Sequence, residues 1–144
     1  MRTCLGLNDR AGRKKNVKRS VVICALFLGL CGIVGAQRAA FTNISVEEFD
    51  KLRKQPNVGV IDVRSPKEFA TGHIPGAINM DWIAGEFFNK VGGLDKRKIW
   101  LVHCAAGARS GKAVDKMATL KFKTVYNLPG GIKAWEKAGK PIEK

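Results

Sequence analysis

The chain has 144 residues, room for one domain, and its 26 Lys and Arg against 12 Asp and Glu give a formal charge of +14. Two histidines and four cysteines, three of the cysteines within the first 36 residues, leave no set spaced for zinc. No metal and no cofactor is expected.

The first 36 residues read differently from the rest. Arg10, Arg13, Lys14, Lys15, Lys18 and Arg19 make a basic start. Val21 to Gly35 is then uncharged and mostly apolar for about 15 residues, whereas a membrane-spanning helix needs ~20. Gly35-Ala36-Gln37 ends the run. A basic stretch, a short apolar stretch and small residues at the cut describe a secretory signal peptide over 1–36. Cleavage is expected after Ala36, with Val34 and Ala36 as the small-residue pair. The alternative is an uncleaved N-terminal anchor. A lipid anchor at Cys31 fits poorly, because Leu30 stands where a small residue is wanted. The expectation is an exported, periplasmic domain over 37–144, with no stable membrane association after cleavage.

Without the leader the domain keeps 19 basic and 11 acidic residues, a charge of +8. An exported domain rarely meets nucleic acid, so none is expected as a partner. The remaining charge is either a solvated surface or an attraction of small anions into a positive cleft. Cys4, Cys24 and Cys31 leave with the leader, which makes Cys104 the single thiol of the domain. In an oxidising compartment such a thiol is reactive, bridges to another molecule, or packs as a small hydrophobe. Its surroundings have to decide.

In chain order, Ser45-Val-Glu-Glu48 reads as a capping box opening a helix to about Lys54. Val58 to Val63 is a short apolar run with β-branched residues, a buried strand. Ser65-Pro66-Lys67-Glu68 starts a second helix, with proline in the first helical position. Ala77 to Met80 is a short strand, and Ile83 to Val91 a helix carrying Phe87 and Phe88. Ile99 to His103 is the clearest central strand. Ser110 to Leu120 is a helix with Ala113, Val114, Met117 and Leu120 on one side. Thr124 to Asn127 is a strand, and Gly131 to Ala138 a last short helix. Strands alternating with helices predict an α/β domain of three layers with a mostly parallel sheet. In such sheets ligands bind at the carboxyl ends of strands. Two strand ends carry chemistry here, Asp62-Val63-Arg64 and His103-Cys104.

Cys104 follows the central strand directly. Ala105, Ala106, Gly107 and Ala108 then lead to Arg109 and Ser110 at a helix start. Small side chains let successive backbone N–H groups turn inward, and such a nest backed by a helix N-terminus favours negative charge. The same field lowers a thiol's pKa and populates the nucleophilic thiolate. A sulfane sulfur on Cys104 stays anionic and accepts those bonds. Arg109 adds a planar cationic fork suited to an oxyanion such as sulfite or thiosulfate. Ser110 helps fix the loop at the helix start.

These stretches resemble the single-domain rhodanese family over nearly all of residues 41–144. Asp62-Val-Arg64, Glu68-Phe69 and Gly72-His73-Ile74-Pro75-Gly76-Ala77-Ile78-Asn79 resemble its N-terminal signature. Cys104-Ala-Ala-Gly107-Ala-Arg109-Ser110 resembles its active loop. Asn127-Leu-Pro-Gly130-Gly131-Ile132-Lys-Ala-Trp135, with Gly139-Lys-Pro141, resembles its C-terminal signature. The resemblance implies a thiosulfate sulfurtransferase of the small periplasmic kind. Sulfur would pass from thiosulfate or a persulfide donor, through a Cys104 persulfide, to cyanide or a thiol. The partners implied are a small sulfur-containing anion and a thiol acceptor, and a monomer is expected. A sulfur carrier or interaction module with little thiosulfate turnover is the alternative. Phosphatase and arsenate-reductase members of the wider fold have a loop one residue longer, so that reading fits less well.

Among nearby polar residues, Asp62 either orients the loop or holds a catalytic water or, more in keeping with an Asp at a strand end, caps a turn. Arg64 and Glu68 are expected to pair across Ser65-Pro66. His103 is expected to point away from Cys104, because neighbours on a strand face opposite sides, with a role as general base to the thiol as the alternative. Trp82, Trp100 and Trp135 are core candidates, although the resemblance implies that the segment carrying Trp82 and Phe87 could instead wall the pocket.

Overall fold

A computed structural model describes residues 41–144, and the leader expected over 1–36 lies outside them. The elements run β1 (Thr42–Asn43), α1 (Val46–Arg53), β2 (Val58–Asp62), α2 (Pro66–Thr71), β3 (Ala77–Asn79), α3 (Glu86–Lys90), a 3-10 turn (Val91–Gly93), β4 (Ile99–His103), α4 (Ala108–Thr119), β5 (Thr124–Asn127) and α5 (Gly131–Lys137). Every strand pairing is parallel, in the order β1-β5-β4-β2-β3. The carboxyl ends of all the strands therefore open on one edge, with β4 at the centre.

The strands alternate their side chains between two apolar clusters. Ile61, Val63, Val102 and Cys104 join Phe87, Val114 and Met117 on the face covered by α3 and α4. Val60 and Leu101 join Phe49, Ile132 and Trp135 on the face covered by α1 and α5. Full burial of a side chain such as Phe49 or Phe87 contributes about 1.5–3 kcal/mol. Trp100 and Trp135 are core residues, and their indole N–H groups donate to Asp95 O and Pro141 O, each at 2.9 and 2.8 Å respectively.

Local chemistry accounts for the boundaries. Ser65 and Glu68 form the reciprocal capping box expected at α2. At α1 only half of the box forms: Ser65's counterpart Ser45 accepts from Glu48 N at 3.2 Å. The helix expected from Ile83 begins only at Glu86. Asp81 Oδ1 accepts the amides of Ile83 and Ala84 at 2.7 and 3.2 Å and holds them in a turn. The helix expected from Ser110 begins two residues earlier, at Ala108, which puts Arg109 in its first turn. Strand β1 had no sequence expectation; its two exposed residues offer no pattern to read. Among the described residues, no helix is long and apolar enough to cross a membrane.

Candidate active site

Cys104 stands at the end of the central strand and is 2% exposed. Its Sγ accepts the Gly107 amide at 3.1 Å and faces the Ser110 hydroxyl at 3.5 Å. That hydroxyl also lies 3.1 Å from Gly107 O, so its single proton serves one acceptor at a time. Burial pushes the thiol pKa up. Hydrogen bonds from the Ser110 hydroxyl and from the Ser110, Ala106 and Gly107 amides outweigh burial and bring it below the ordinary thiol value. The amides point inward because the loop's carbonyls are held from outside. Ile132 N donates to Cys104 O at 2.8 Å and Lys133 N to Ala105 O at 3.2 Å, both from the first turn of α5.

Two glycines make this close approach possible. Gly107 has φ +98°, and a Cβ there would run into the Pro129 carbonyl. Gly131 has φ +56°, and a Cβ there would strike the Cys104 and Ala105 carbonyls. Sequence reasoning placed Gly107 in the cradle but saw Gly131 only as part of a closing motif. The available signal was its position just after β5, the strand beside β4. Ala105 is half-buried, and Ala106 and Ala108 are exposed at the rim.

The charged residues pair differently from the expectation. Glu68 does not meet Arg64. It takes both terminal nitrogens of Arg109, at 2.8 and 2.7 Å. Arg109 therefore stands at the loop as expected, but its fork is occupied by a carboxylate. This contact holds the Glu68 carboxyl down to about 2, against burial and with help from Ser65. The same contact raises Arg109, with the Cys104 charge a smaller contributor. Arg64 turns back to Asp62, which accepts its Nε and Nη2 at 2.9 and 2.7 Å, and donates also to Gly72 O at 2.7 Å. The strand register explains this pairing. Asp62 lies opposite His103, one residue out of phase with Cys104, and so on the other face of the sheet. His103 points away from the thiol as expected, edge-on to Phe49 at 6.2 Å, with Nε2 3.7 Å from Asp62. Burial lowers its pKa more than Asp62 raises it.

The rhodanese-like domain family matches residues 45–138. The chain belongs to that family. Its rhodanese domain is 35% identical over 95 residues to the thiosulfate sulfurtransferase GlpE of Pseudomonas putida, covering 66% of this chain and 84% of the relative. A rhodanese-related protein from Thermoplasma volcanium superposes with a TM-score of 0.65 at 30% identity, covering 72% of this chain and 98% of the other. A Rhodopseudomonas palustris protein described as a possible tyrosine phosphatase superposes with a TM-score of 0.62 at 28% identity, over 72% and 85%. The three-layer α/β rhodanese fold with a parallel sheet is the one expected, and the sheet has one strand, β1, more than the sequence indicated.

Proposed function

We propose that this rhodanese domain is a sulfurtransferase that carries sulfane sulfur as a persulfide on Cys104. The family and its named sulfurtransferase relatives support sulfur transfer in general. The observation that carries the persulfide is the Cys104 Sγ facing inward amides, with Gly107 N at 3.1 Å. In the first step the Cys104 thiolate attacks the outer sulfur of thiosulfate. The sulfur–sulfur bond breaks and sulfite leaves with its electron pair. In the second, cyanide or a thiolate attacks the outer sulfur of the persulfide, and Cys104 leaves as thiolate. The Ala106 and Gly107 amides and Ser110 stabilise the sulfur anion at both stages. Asp62 and Arg64 act as scaffold beneath the loop. After leader removal the domain acts in the periplasm as a monomer.

Phosphate chemistry, which the R. palustris neighbour brings to mind, is disfavoured. Four residues separate Cys104 from Arg109, and Glu68 occupies the guanidinium that a phosphate would need. Intact-mass analysis of exported protein before and after thiosulfate tests the proposal. The expected result is loss of residues 1–36 and a gain of one sulfur atom on Cys104. No adduct from any sulfane donor would refute the persulfide.

A further inference from the structure

The edge of the sheet opposite Cys104, where the parallel strands begin, gathers lysines. Lys96 and Lys98 lie on the turn before β4, Lys121 and Lys123 on the turn before β5, and Lys116 in the last turn of α4. Lys98 is half-buried and the other four are exposed. The two turns are neighbours, since Lys123 N donates to Lys96 O at 2.9 Å and Ile99 pairs with Thr124. Each is pinned to the core, one by the buried Phe122 and the other by the Trp100 indole N–H on Asp95 O at 2.9 Å. Asp95 is the one acid on these turns, and it pairs with Arg97 at 3.3 Å. Among the described residues, no carboxylate lies within ion-pair distance of Lys96, Lys98, Lys116, Lys121 or Lys123.

The backbone at Lys121 points the same way. Lys121 N reaches Ala118 O at 3.0 Å and Phe122 N reaches Met117 O at 3.2 Å, the two bonds that close a helix through a left-handed residue. Glycine is usual at that position, but here Lys121 holds φ +63°. A lysine stands there at a conformational cost that glycine would remove.

The chemistry of the edge selects its partner. Ammonium groups are point charges, and the one arginine, whose planar fork could grip a single phosphate, is engaged with Asp95. No exposed aromatic side chain belongs to either turn, so the edge has no platform for stacked bases. Spread ammonium charge suits a plane of anionic headgroups. Strand β1 also starts on this edge, at Thr42, and the chain before it carries the apolar stretch 21–35, read as a leader or an anchor. Either delivers the domain to a membrane.

We propose that the lysine edge docks the domain, reversibly and by charge, on a membrane surface of acidic phospholipid. The Cys104 loop stands one strand length away, roughly 16 Å along β4, about twice the Debye length at physiological salt. Docking therefore leaves the loop facing solution with its chemistry unchanged.

The test is sedimentation of the exported protein with phosphatidylcholine vesicles, with and without phosphatidylglycerol, at low and high salt. Wild type should sediment with phosphatidylglycerol at low salt, release at high salt and leave pure phosphatidylcholine alone. Lys96→Gln, Lys98→Gln, Lys121→Gln and Lys123→Gln together should weaken binding at least about tenfold, with sulfur uptake by Cys104 in solution unchanged. Lys51→Gln, Lys133→Gln, Lys137→Gln and Lys144→Gln together remove the same charge from α1, α5 and the C-terminal end, and should stay within about threefold of wild type. Equal losses in the two variants reduce the effect to net charge and overturn the proposal. So does binding without preference for phosphatidylglycerol, or capture of duplex DNA or poly-glutamate in preference to the vesicles. Lys121→Gly removes charge and strain together, which keeps the fold, and should weaken binding severalfold. Wild-type binding by that variant also overturns the lysine edge.

Discussion

The carboxyl ends of β2 and β4 lie side by side, Asp62 in register with His103, and both bury polar groups. At the end of β2 each charge is answered. Asp62 accepts the Arg64 amide and guanidinium, Arg64 also reaches Gly72 O, and Asn79 Nδ2 ties down the Asp62 and Arg64 carbonyls at 3.1 and 2.8 Å. At the end of β4 the donors converge on a single sulfur, and the carbonyls that would quench them are held outward by α5. A saturated network fixes a loop; a convergent, unsatisfied one waits for negative charge. Burial alone does not distinguish them, and the direction of the hydrogen bonds does.

The comparison breaks most sharply at Cys104. Cys104→Ser should abolish sulfur transfer and sulfur uptake by mass, because a serine hydroxyl gives no thiolate at neutral pH, while the thermal midpoint stays close to wild type. Retained turnover would move the chemistry elsewhere. The β2 end should fail in the opposite way. Arg64→Met leaves the fully buried Asp62 carboxylate without its partner and should cost about 3–5 kcal/mol in urea unfolding. Sulfur uptake per folded molecule should persist, and its disappearance would make Arg64 part of the site.

Gly131 joins the two behaviours, since it belongs to α5 yet touches the loop. Gly131→Ala forces a Cβ toward the Cys104 and Ala105 carbonyls and strains a left-handed backbone. About 1–3 kcal/mol of stability should go. Sulfur uptake should slow beyond the loss of folded protein, and a purely thermodynamic effect would show that α5 does not aim the amides. Ser110→Ala is gentler. The hydroxyl leads the contacts that bring the Cys104 thiol down. Removing it raises that pKa, so the rate of sulfur uptake, which rises as thiolate forms, should shift to higher pH. An unmoved profile would assign the lowered pKa to the backbone amides alone.

The central strand, the capping box at α2 and the anion cradle were legible in the sequence because each depends on near neighbours. Ser65 and Glu68 are three residues apart, and Cys104 to Ser110 is one continuous turn. The face of His103 was legible for the same reason, from the strand period. What was not legible depends on which of several chemically equivalent partners lies closer in space. Glu68 has arginines at Arg64 and Arg109, and only the fold, which brings the first turn of α4 within reach of Glu68, selects the distant one. Gly131 was unreadable until the β5–β4 pairing brought α5 behind the loop.

The smallest effect tests that misread pair. In the fold the Glu68 carboxyl is held down to about 2, against roughly 4.3 in an unfolded chain. A depressed carboxylate pKa gives stability that is fully present above the unfolded value and is lost as pH falls toward the folded one. The side chain is 38% exposed, so solvent screens the pair and the contribution should be about 1 kcal/mol or less. Wild type should therefore exceed Glu68→Gln in urea midpoint at neutral pH, and the gap should narrow on acidification through the range between those two values. A gap that stays constant with pH would mean that the ionisation of Glu68 does not contribute to the fold. The charge it sets beside Arg109 would then contribute little to the loop, and the contrast between a neutralised rim and an open amide cradle would have to rest on the cradle alone.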